Sequence, residues 1–332
     1  MTTAELNALI ASFQLNLPVA GNYYRIKAVA GWNDDARYLG AQNSTANTSR
    51  AEFVAEAGAN TIFYFDGSQL VSYASGNYLV SNSSMLGYNG VQASGSSIAF
   101  CAASNNLVGA YNISFNGGSR WLYVNQGNYT DAGSTTNNAN GYCFNIEEVA
   151  SLPVEITTAG YATFYAPVAV EVPAGVTAHT VTINGEWATL SDALAIVPAN
   201  TGVVLAGQGD YNLAITTAAA FEGENALRGT VAATNVTENA YVLANDAEGV
   251  GFYAAAMTNG AWLNNSHKAY LPKAQGMNAA SYSFRFGEGT TAIGNVEVEN
   301  TVKTIYDLTG RRVEVITAPG IYIVDGKKVL VK

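Results

Sequence analysis

The sequence has few of the side chains that do chemistry. Charged residues make up 12% of its 332 residues, against about a quarter in typical soluble domains. It has two histidines and two cysteines. Two cysteines are too few for a disulfide framework and lack the spacing of a metal site. Two histidines leave little for acid–base chemistry at neutral pH. The sequence therefore predicts no catalytic residue, no cofactor and no metal. It leaves open whether Cys101 and Cys143 are bonded or are two buried free thiols.

Positive charge is also scarce. Lys and Arg number 15 against 25 acidic residues, for a formal net charge of −10. Nucleic acid needs clustered cations to meet its phosphates, so this balance argues against nucleic acid and against an anionic membrane surface. There is no apolar run of the roughly 18 residues that a membrane helix requires. We therefore predict no membrane span.

What the sequence does contain is typical of an all-β protein. It has 33 glycines and 20 tyrosines, and its many Asn, Ser and Thr residues indicate short strands joined by polar turns. The exception is one N-terminal helix over 2–17, within a first segment 1–19. Thr2 with Glu5 fits a capping box, apolar residues follow at helical spacing, and Pro18 marks the end.

Residues 20–150 contain a weak internal repeat of roughly 40 residues. Each unit is an aromatic-rich strand, a turn and an aromatic–Leu strand. The strand pairs start at Asn22 and Arg37, at Thr61 and Gly76, and at Gly109 and Arg120. Three such units resemble a β-trefoil of the ricin-B-like kind, in which the sheet closes into a barrel. The Gln-x-Trp signature of sugar-binding ricin-like repeats is missing, so the resemblance implies the fold and not the sugar site.

Residues 151–292 show many short strands at about 8–12-residue spacing, which predicts a β-sandwich-like domain. Turn sequences such as Asn184-Gly185 and Asn259-Gly260 separate the strands. The phrases 159–165, 198–205 and 268–272 resemble a module near the C-termini of Bacteroidetes surface proteins. Residues 293–303 are acidic, lack aromatics and are expected to form a linker.

Residues 304–332 contain three short β-type runs separated by turn chemistry, with Asp325-Gly326 as a strong hairpin signal. The segment resembles the C-terminal sorting domain of type IX secretion. The residues that match are Tyr306, Asp307, Gly310, Arg311, Arg312, Gly320, Tyr322, Gly326, Lys327 and Lys328. The resemblance implies a secreted or outer-membrane-surface location and the secretion machinery as a partner. An N-terminus without a signal-peptide pattern is then expected if the chain is the C-terminal piece of a longer exported protein.

Aromatic side chains beside amides and carboxylates are the remaining signal of function. Sugars stack their C–H faces on Trp and Tyr, while Asp and Asn accept hydroxyl protons. A glycan is therefore the expected ligand of two clusters. The candidate carbohydrate-binding residues are Trp32, Asn33, Asp34, Asp35, Tyr38, Trp121, Asn125 and Tyr129. Trp262 with Asn264, Asn265 and His267 forms a third and weaker cluster.

The leading hypothesis is a non-catalytic accessory region of an exported surface protein. Two alternatives stay open. One is a glycoside hydrolase with a carboxylate pair, which needs two acids facing each other across a sugar. Its candidate pairs are Asp34 with Asp35, Glu147 with Glu148, Glu222 with Glu224, and Asp246 with Glu248. The other is a purely structural spacer that presents an upstream domain.

Overall fold

The computed structural model describes most of the chain and divides it into two compact units, Met1–Glu288 and Gly289–Lys332. The described residues are 2–3, 5, 17–29, 37–40, 51–82, 85–88, 91, 94–103, 109–124, 130–133, 140–246, 249–286, 305–307, 312–313, 320–324 and 327–331. Within them the protein is built from β-strands and two short 3₁₀ turns, Ala59–Thr61 and Asn140–Tyr142, and Thr3 and Glu5 are helical. The all-β prediction is confirmed.

Twelve strands form the first part of the larger unit, here called the trefoil-like part. They are β1 Tyr23–Ala28, β2 Tyr38–Gly40, β3 Glu52–Val54, β4 Phe63–Phe65, β5 Leu70–Ser72, β6 Leu79–Asn82, β7 Met85–Tyr88, β8 Ile98–Ala102, β9 Tyr111–Phe115, β10 Arg120–Val124, β11 Thr130–Gly133 and β12 Phe144–Glu148.

The pairing of these strands follows the trefoil-like pattern that the repeated units predict. Antiparallel ladders join β12 to β1, β1 to β4, β4 to β5, β8 to β9 and β9 to β12. The Ile98 N–H donates to the Ser68 carbonyl at 2.7 Å and connects β8 to the start of β5. Three hairpins, β2–β3, β6–β7 and β10–β11, complete the units.

The core of the trefoil-like part is aromatic and aliphatic. Phe53 and Phe144 stack with ring centroids 5.9 Å apart, and both are fully buried with Ile26, Leu39 and Ile113. Burial of such side chains contributes about 1.5–3 kcal/mol each. The strands that are rich in tyrosine and phenylalanine therefore supply side chains to this core.

Sixteen further strands form the rest of the larger unit, here called the second part. They are β13 Ser151–Ile156, β14 Tyr161–Phe164, β15 Ala169–Glu171, β16 Thr177–His179, β17 Val181–Asn184, β18 Trp187–Leu190, β19 Ile196–Val197, β20 Val203–Ala206, β21 Gly209–Thr216, β22 Arg228–Thr230, β23 Thr234–Val236, β24 Ala240–Asp246, β25 Gly249–Ala254, β26 Trp262–Asn264, β27 Lys268–Pro272 and β28 Ser281–Phe286.

The second part stacks three sheets around two cores. A four-stranded sheet has the order β13-β21-β15-β19, a three-stranded sheet β14-β20-β16, and a seven-stranded sheet β17-β18-β28-β25-β24-β27-β22. Strand β20 lies in the three-stranded sheet, where Val203 and Leu205 enter one core and Val204 enters the other. A strand buried on both faces has a continuous apolar sequence, as β20 does. The predicted sandwich-like packing is present, with a third layer. β23 and β26 pair separately.

The trefoil-like part and the second part share one hydrophobic core. Tyr23, Ile62, Tyr73 and Val149 are buried in the same cluster as Leu152 and its neighbours from the second part. The Tyr73 hydroxyl also donates to the Pro153 carbonyl at 2.5 Å. The sequence boundary at 150 and 151 therefore lies inside one compact unit.

The N-terminal segment is described at Thr2, Thr3 and Glu5. The Thr2 N–H donates to Glu5 Oε2 at 2.7 Å, and the Glu5 N–H donates to Thr2 Oγ1 at 3.2 Å. These are the two reciprocal bonds of the predicted capping box. The remainder of the predicted helix, apart from Leu17, lies outside the described residues.

The second unit contains a four-stranded antiparallel sheet of order β30-β29-β31-β32. Its strands are β29 Ile305–Asp307, β30 Arg312–Val313, β31 Gly320–Val324 and β32 Lys327–Val331. Val324 pairs with Lys327 across Asp325-Gly326, as the hairpin signal predicts. Of the sorting-like residues, Gly310, Arg311 and Gly326 lie outside the described residues, as does the predicted linker 293–303.

Candidate functional site

A cleft of about 470 Å³ opens in the second part where several strand ends meet. Strands β13 and β14 form one side, and the connection from β26 to β27 forms the other. The residues that line it include Glu155, Tyr161, Trp262, Leu263, Asn265 and Lys268. Apolar surfaces and polar side chains therefore face one space, as in many small-molecule sites.

Trp262 forms a rigid wall of the cleft. Its indole Nε1–H donates to the Glu238 carbonyl at 3.0 Å, and its ring meets Tyr270 edge-on at 5.0 Å. The Tyr270 hydroxyl donates to Glu238 Oε1 at 2.8 Å. Burial, with Glu238 beside it, raises the pKa of Tyr270 to about 12, so the hydroxyl keeps its proton. These contacts fix the orientation of the Trp262 ring in the absence of a ligand.

Leu263 and Asn265 present different chemistry to the same space. Leu263 is exposed although it lies between the buried Trp262 and Asn264, because successive side chains of a strand point to opposite faces. The Asn264 amide is tied inward, donating to Thr230 Oγ1 at 2.9 Å and to the Lys268 carbonyl at 3.0 Å. Asn264 therefore shapes the cleft, whereas Leu263 and the exposed Asn265 are free to contact a ligand.

Lys268 is the cation of the cleft and is partly buried at the start of β27. Burial lowers the pKa of Lys268, and the nearby charge of Glu155 opposes this shift. Among the described residues, no hydrogen bond or ion pair is formed by its ammonium group. A cation that is partly removed from water and has no bonded carboxylate can gain a favourable contact from a polar or anionic group of a ligand.

The turn Asn265–Lys268 joins the cleft to the trefoil-like part. The Lys268 N–H donates to the Asn265 carbonyl at 3.3 Å, and His267 has the positive φ of 55° that such a turn requires. Asn265 and Lys268 line the cleft. Ser266 Oγ lies within hydrogen-bond distance of the Tyr73 carbonyl, at 2.8 Å, and donates there or to Val231.

His267 lies on the trefoil side of that turn and is buried. Its Nδ1 is 3.0 Å from the Tyr165 carbonyl; a carbonyl only accepts, so Nδ1 carries the proton. Its Nε2 is buried and has no hydrogen-bond partner among the described residues. The pKa of His267 is lowered to about 4, chiefly by burial; the hydrogen bond to the Tyr165 carbonyl opposes this shift, and the charge of Lys268 adds to it. The imidazole is therefore neutral at pH 7.

The predicted glycan residues of the trefoil-like part are described only in part. Trp32, Asn33, Asp34, Asp35, Asn125 and Tyr129 lie outside the described residues. Tyr38 is half-buried on β2, with Lys27 Nζ 5.0 Å from its ring centroid. Trp121 is half-buried on β10, opposite Gly133. Tyr38 and Trp121 are on different hairpins.

The acidic pairs and the cysteines have the following positions. Glu147 and Glu148 are consecutive on β12, opposite Arg25 and Tyr24, so their side chains point to opposite faces. Glu222 and Glu224 are both exposed. Asp34, Asp35 and Glu248 lie outside the described residues. Cys101 is exposed and Cys143 is buried, and neither is part of a disulfide.

Sequence reasoning anticipated only part of the cleft. The weaker third cluster contained Trp262, Asn264 and Asn265, and the structure places all three at the cleft. Sequence reasoning did not anticipate Glu155, Tyr161 or Lys268, which come from other strands. The sequence signal for Lys268 was its position in the otherwise apolar strand sequence Lys268-Ala-Tyr-Leu271. Such a strand buries most of its side chains, so a charged residue in it is unusual.

The described residues contain no group of three or more His, Cys, Asp or Glu side chains arranged to hold a metal ion. Within the same residues, no helix combines the length and the apolar character needed to cross a membrane.

Comparisons with known proteins give little further information. No family model matches the chain, and no curated protein matches it. Among solved structures, one match is described as the structure and mode of action of a mosquitocidal holotoxin. The identity is 13% and the TM-score 0.31, with 80% of this chain and 34% of the toxin chain covered. The chain therefore spans about a third of the length of that toxin.

Proposed function

We propose that this chain is a non-catalytic accessory region of an exported surface protein and that it binds carbohydrate in the cleft of the second part. The observation that carries the proposal is the meeting of Tyr161, Trp262 and Leu263 with Asn265 and Lys268 around one space. The loop with Trp32 is proposed as an additional glycan contact of the trefoil-like part.

The chemistry of the cleft suits a sugar better than a purely apolar ligand. A sugar ring has C–H faces that pack on aromatic and aliphatic side chains. Its hydroxyl groups need acceptors and donors, which carboxylates, amides and an ammonium group supply. Because Trp262 is held by Glu238 and Tyr270, little side-chain entropy is lost when a ligand packs on it.

Glycan-array binding followed by calorimetric titration tests the proposal. Leu263→Ala and Asn265→Ala should each weaken binding by about tenfold, the loss of roughly one good contact, without lowering the melting temperature. Ile196→Ala is the matched control, because Ile196 is exposed on β19 and does not line the cleft. Absence of binding to every glycan, or equal affinities for all three variants and the parent chain, would contradict the proposal.

A structural spacer is a second candidate, favoured by the core that the trefoil-like and second parts share. A joint buried among Tyr23, Ile62 and Leu152 favours a stiff connection over a flexible one. A spacer alone predicts no glycan binding and effects of cleft substitutions on stability only. The same titrations therefore distinguish the two roles.

We propose in addition that residues 304–332 direct export to the cell surface through the secretion machinery. The support is the resemblance of the segment to a type IX sorting domain and its position in a compact unit of its own, Gly289–Lys332. Deletion of 304–332 in a producing cell should leave the protein in the periplasm. Normal surface display of the shortened chain would refute the sorting role.

A further inference from the structure

We infer that the cleft selects an acidic sugar, with the carboxylate of a hexuronic acid unit bound to the ammonium group of Lys268. The inference rests on the proposed function, because it specifies the glycan that the same cleft would bind. It makes Lys268 the specificity-determining residue and gives the apolar and amide side chains a supporting role.

The first argument is the unmatched charge of Lys268. A cation that is partly removed from water loses hydration, and that loss is normally offset by a bonded anion. Among the described residues, Glu155 is the acid that acts on Lys268, and it does so without forming a hydrogen bond or ion pair. A ligand carboxylate in the cleft would supply the bonded anion, and a charge-assisted hydrogen bond is about twice as strong as a neutral one.

The second argument is that the backbone of Lys268 is fixed. Its N–H is bonded to the Asn265 carbonyl, its carbonyl accepts from the Asn264 amide, and it pairs with Thr230 across the ladder. The base of the side chain therefore has a defined position at the cleft. Such anchoring reduces the freedom that is lost on binding.

The third argument concerns the rest of a uronic acid unit. Asn265 and Glu155 line the cleft and can accept hydroxyl protons or, in the case of Asn265, donate to ring substituents. Leu263 and Tyr161, which are more exposed than Trp262, offer apolar surface to the C–H face. One carboxylate, several hydroxyls and one apolar face are the groups that a hexuronic acid combines.

Glu155 also limits the charge that the cleft tolerates. A single carboxylate meets one cation, whereas a phosphate monoester, with a charge of about −1.5 to −2 at pH 7, would place additional negative charge beside Glu155 and be repelled by it. The net charge of −10 opposes polyanions at long range, although salt at physiological strength screens this field within about 8 Å. The cleft therefore fits a weakly charged acidic sugar better than a dense polyanion.

Titration with two matched trisaccharides tests the inference. One is the α-1,4-linked trimer of galacturonic acid, and the other is the neutral galactose trimer obtained by reducing its carboxyl groups. The protein should bind the acidic trimer about tenfold more tightly, as one charged hydrogen bond provides. The preference should shrink as salt is raised.

Lys268→Met should abolish the preference, so that the acidic and the neutral trimer bind with equal affinity, because the charge is lost while the apolar stem is retained. Lys273→Met is the matched control: it removes the same charge from an exposed lysine that does not line the cleft, and the preference should persist. Equal binding of both trimers by the parent chain would overturn the inference alone. Binding of neither trimer would overturn it, and failure on every glycan of the array would also remove the proposed function.

Discussion

The ring of Tyr73 stacks on the imidazole of His267, with centroids 4.4 Å apart and planes inclined by 28°. Tyr73 belongs to the trefoil-like part, whereas His267 belongs to the turn in which Asn265 and Lys268 line the cleft. Tyr23 packs against both rings, with centroids 6.0 Å from Tyr73 and 5.6 Å from His267. The turn Asn265–Lys268 therefore contributes both to the contact between the two parts and to the proposed binding site.

Gly76→Ala should disrupt this joint. Gly76 has a φ of +69°, and a Cβ there would lie 2.4 Å from the Ala233 nitrogen and 2.8 Å from Ser266 Cβ. Left-handed strain with overpacking should cost about 2–5 kcal/mol, measured by chemical denaturation. Gly117→Ala is the control, because Gly117 has the same φ of +69° and nothing within 4 Å of the added atom. It should cost only about 1–2 kcal/mol; equal losses would show that the close approach is unimportant.

Ile62→Ala should weaken the connection between the two parts. Ile62 is fully buried in the shared core, and truncation of such a residue costs about 2–5 kcal/mol. We expect the larger unit of the parent chain to unfold in a single calorimetric transition, and we expect this transition to split or broaden in the variant. Ile113→Ala removes an equally buried side chain from the core of the trefoil-like part, so the trefoil-like part itself should be destabilised. Identical transition shapes for the two variants would argue against a shared core.

Local chemistry explains which features of the fold were predictable. Turn residues fix hairpins within a few positions, so Asn184-Gly185 was found where β17 turns into β18, and β31 pairs with β32 as the Asp-Gly signal in the sequence predicts. The repeat of strand pairs predicted the trefoil-like connections. The capping box of Thr2 and Glu5 is also local. These features depend on neighbours in sequence, and one sequence is enough to see them.

The joint and most of the cleft were not predictable, because both depend on contacts between distant residues. Tyr73 and His267 meet only after two parts have folded against each other. Tyr23 and Ile62 look like ordinary strand residues in sequence, yet they leave the core of their own part and enter the shared one. Lys268 gains its significance from Glu155 and Tyr161, which lie more than a hundred positions earlier.

His267 should make the protein less stable in mild acid. Its pKa is lowered from 6.5 to about 4 in the folded state, chiefly by burial, while the unfolded chain keeps the ordinary value. As the pH falls from 6.5 to 4, His267 binds a proton in the unfolded state but not in the folded state, so the free energy of unfolding falls. The expected loss is about 3 kcal/mol over this interval, and it should level off below pH 4.

His267→Asn isolates this contribution, because Asn cannot titrate there and tolerates the positive φ of 55° better than most residues. The free energy of unfolding, measured in urea at intervals between pH 7 and pH 4, should fall less steeply in the variant. The difference between the two curves cancels every other titrating group that the chains share. It should change by about 3 kcal/mol across the window, and parallel curves would mean that His267 accepts its proton without disturbing the joint with Tyr23, Tyr73 and Tyr165.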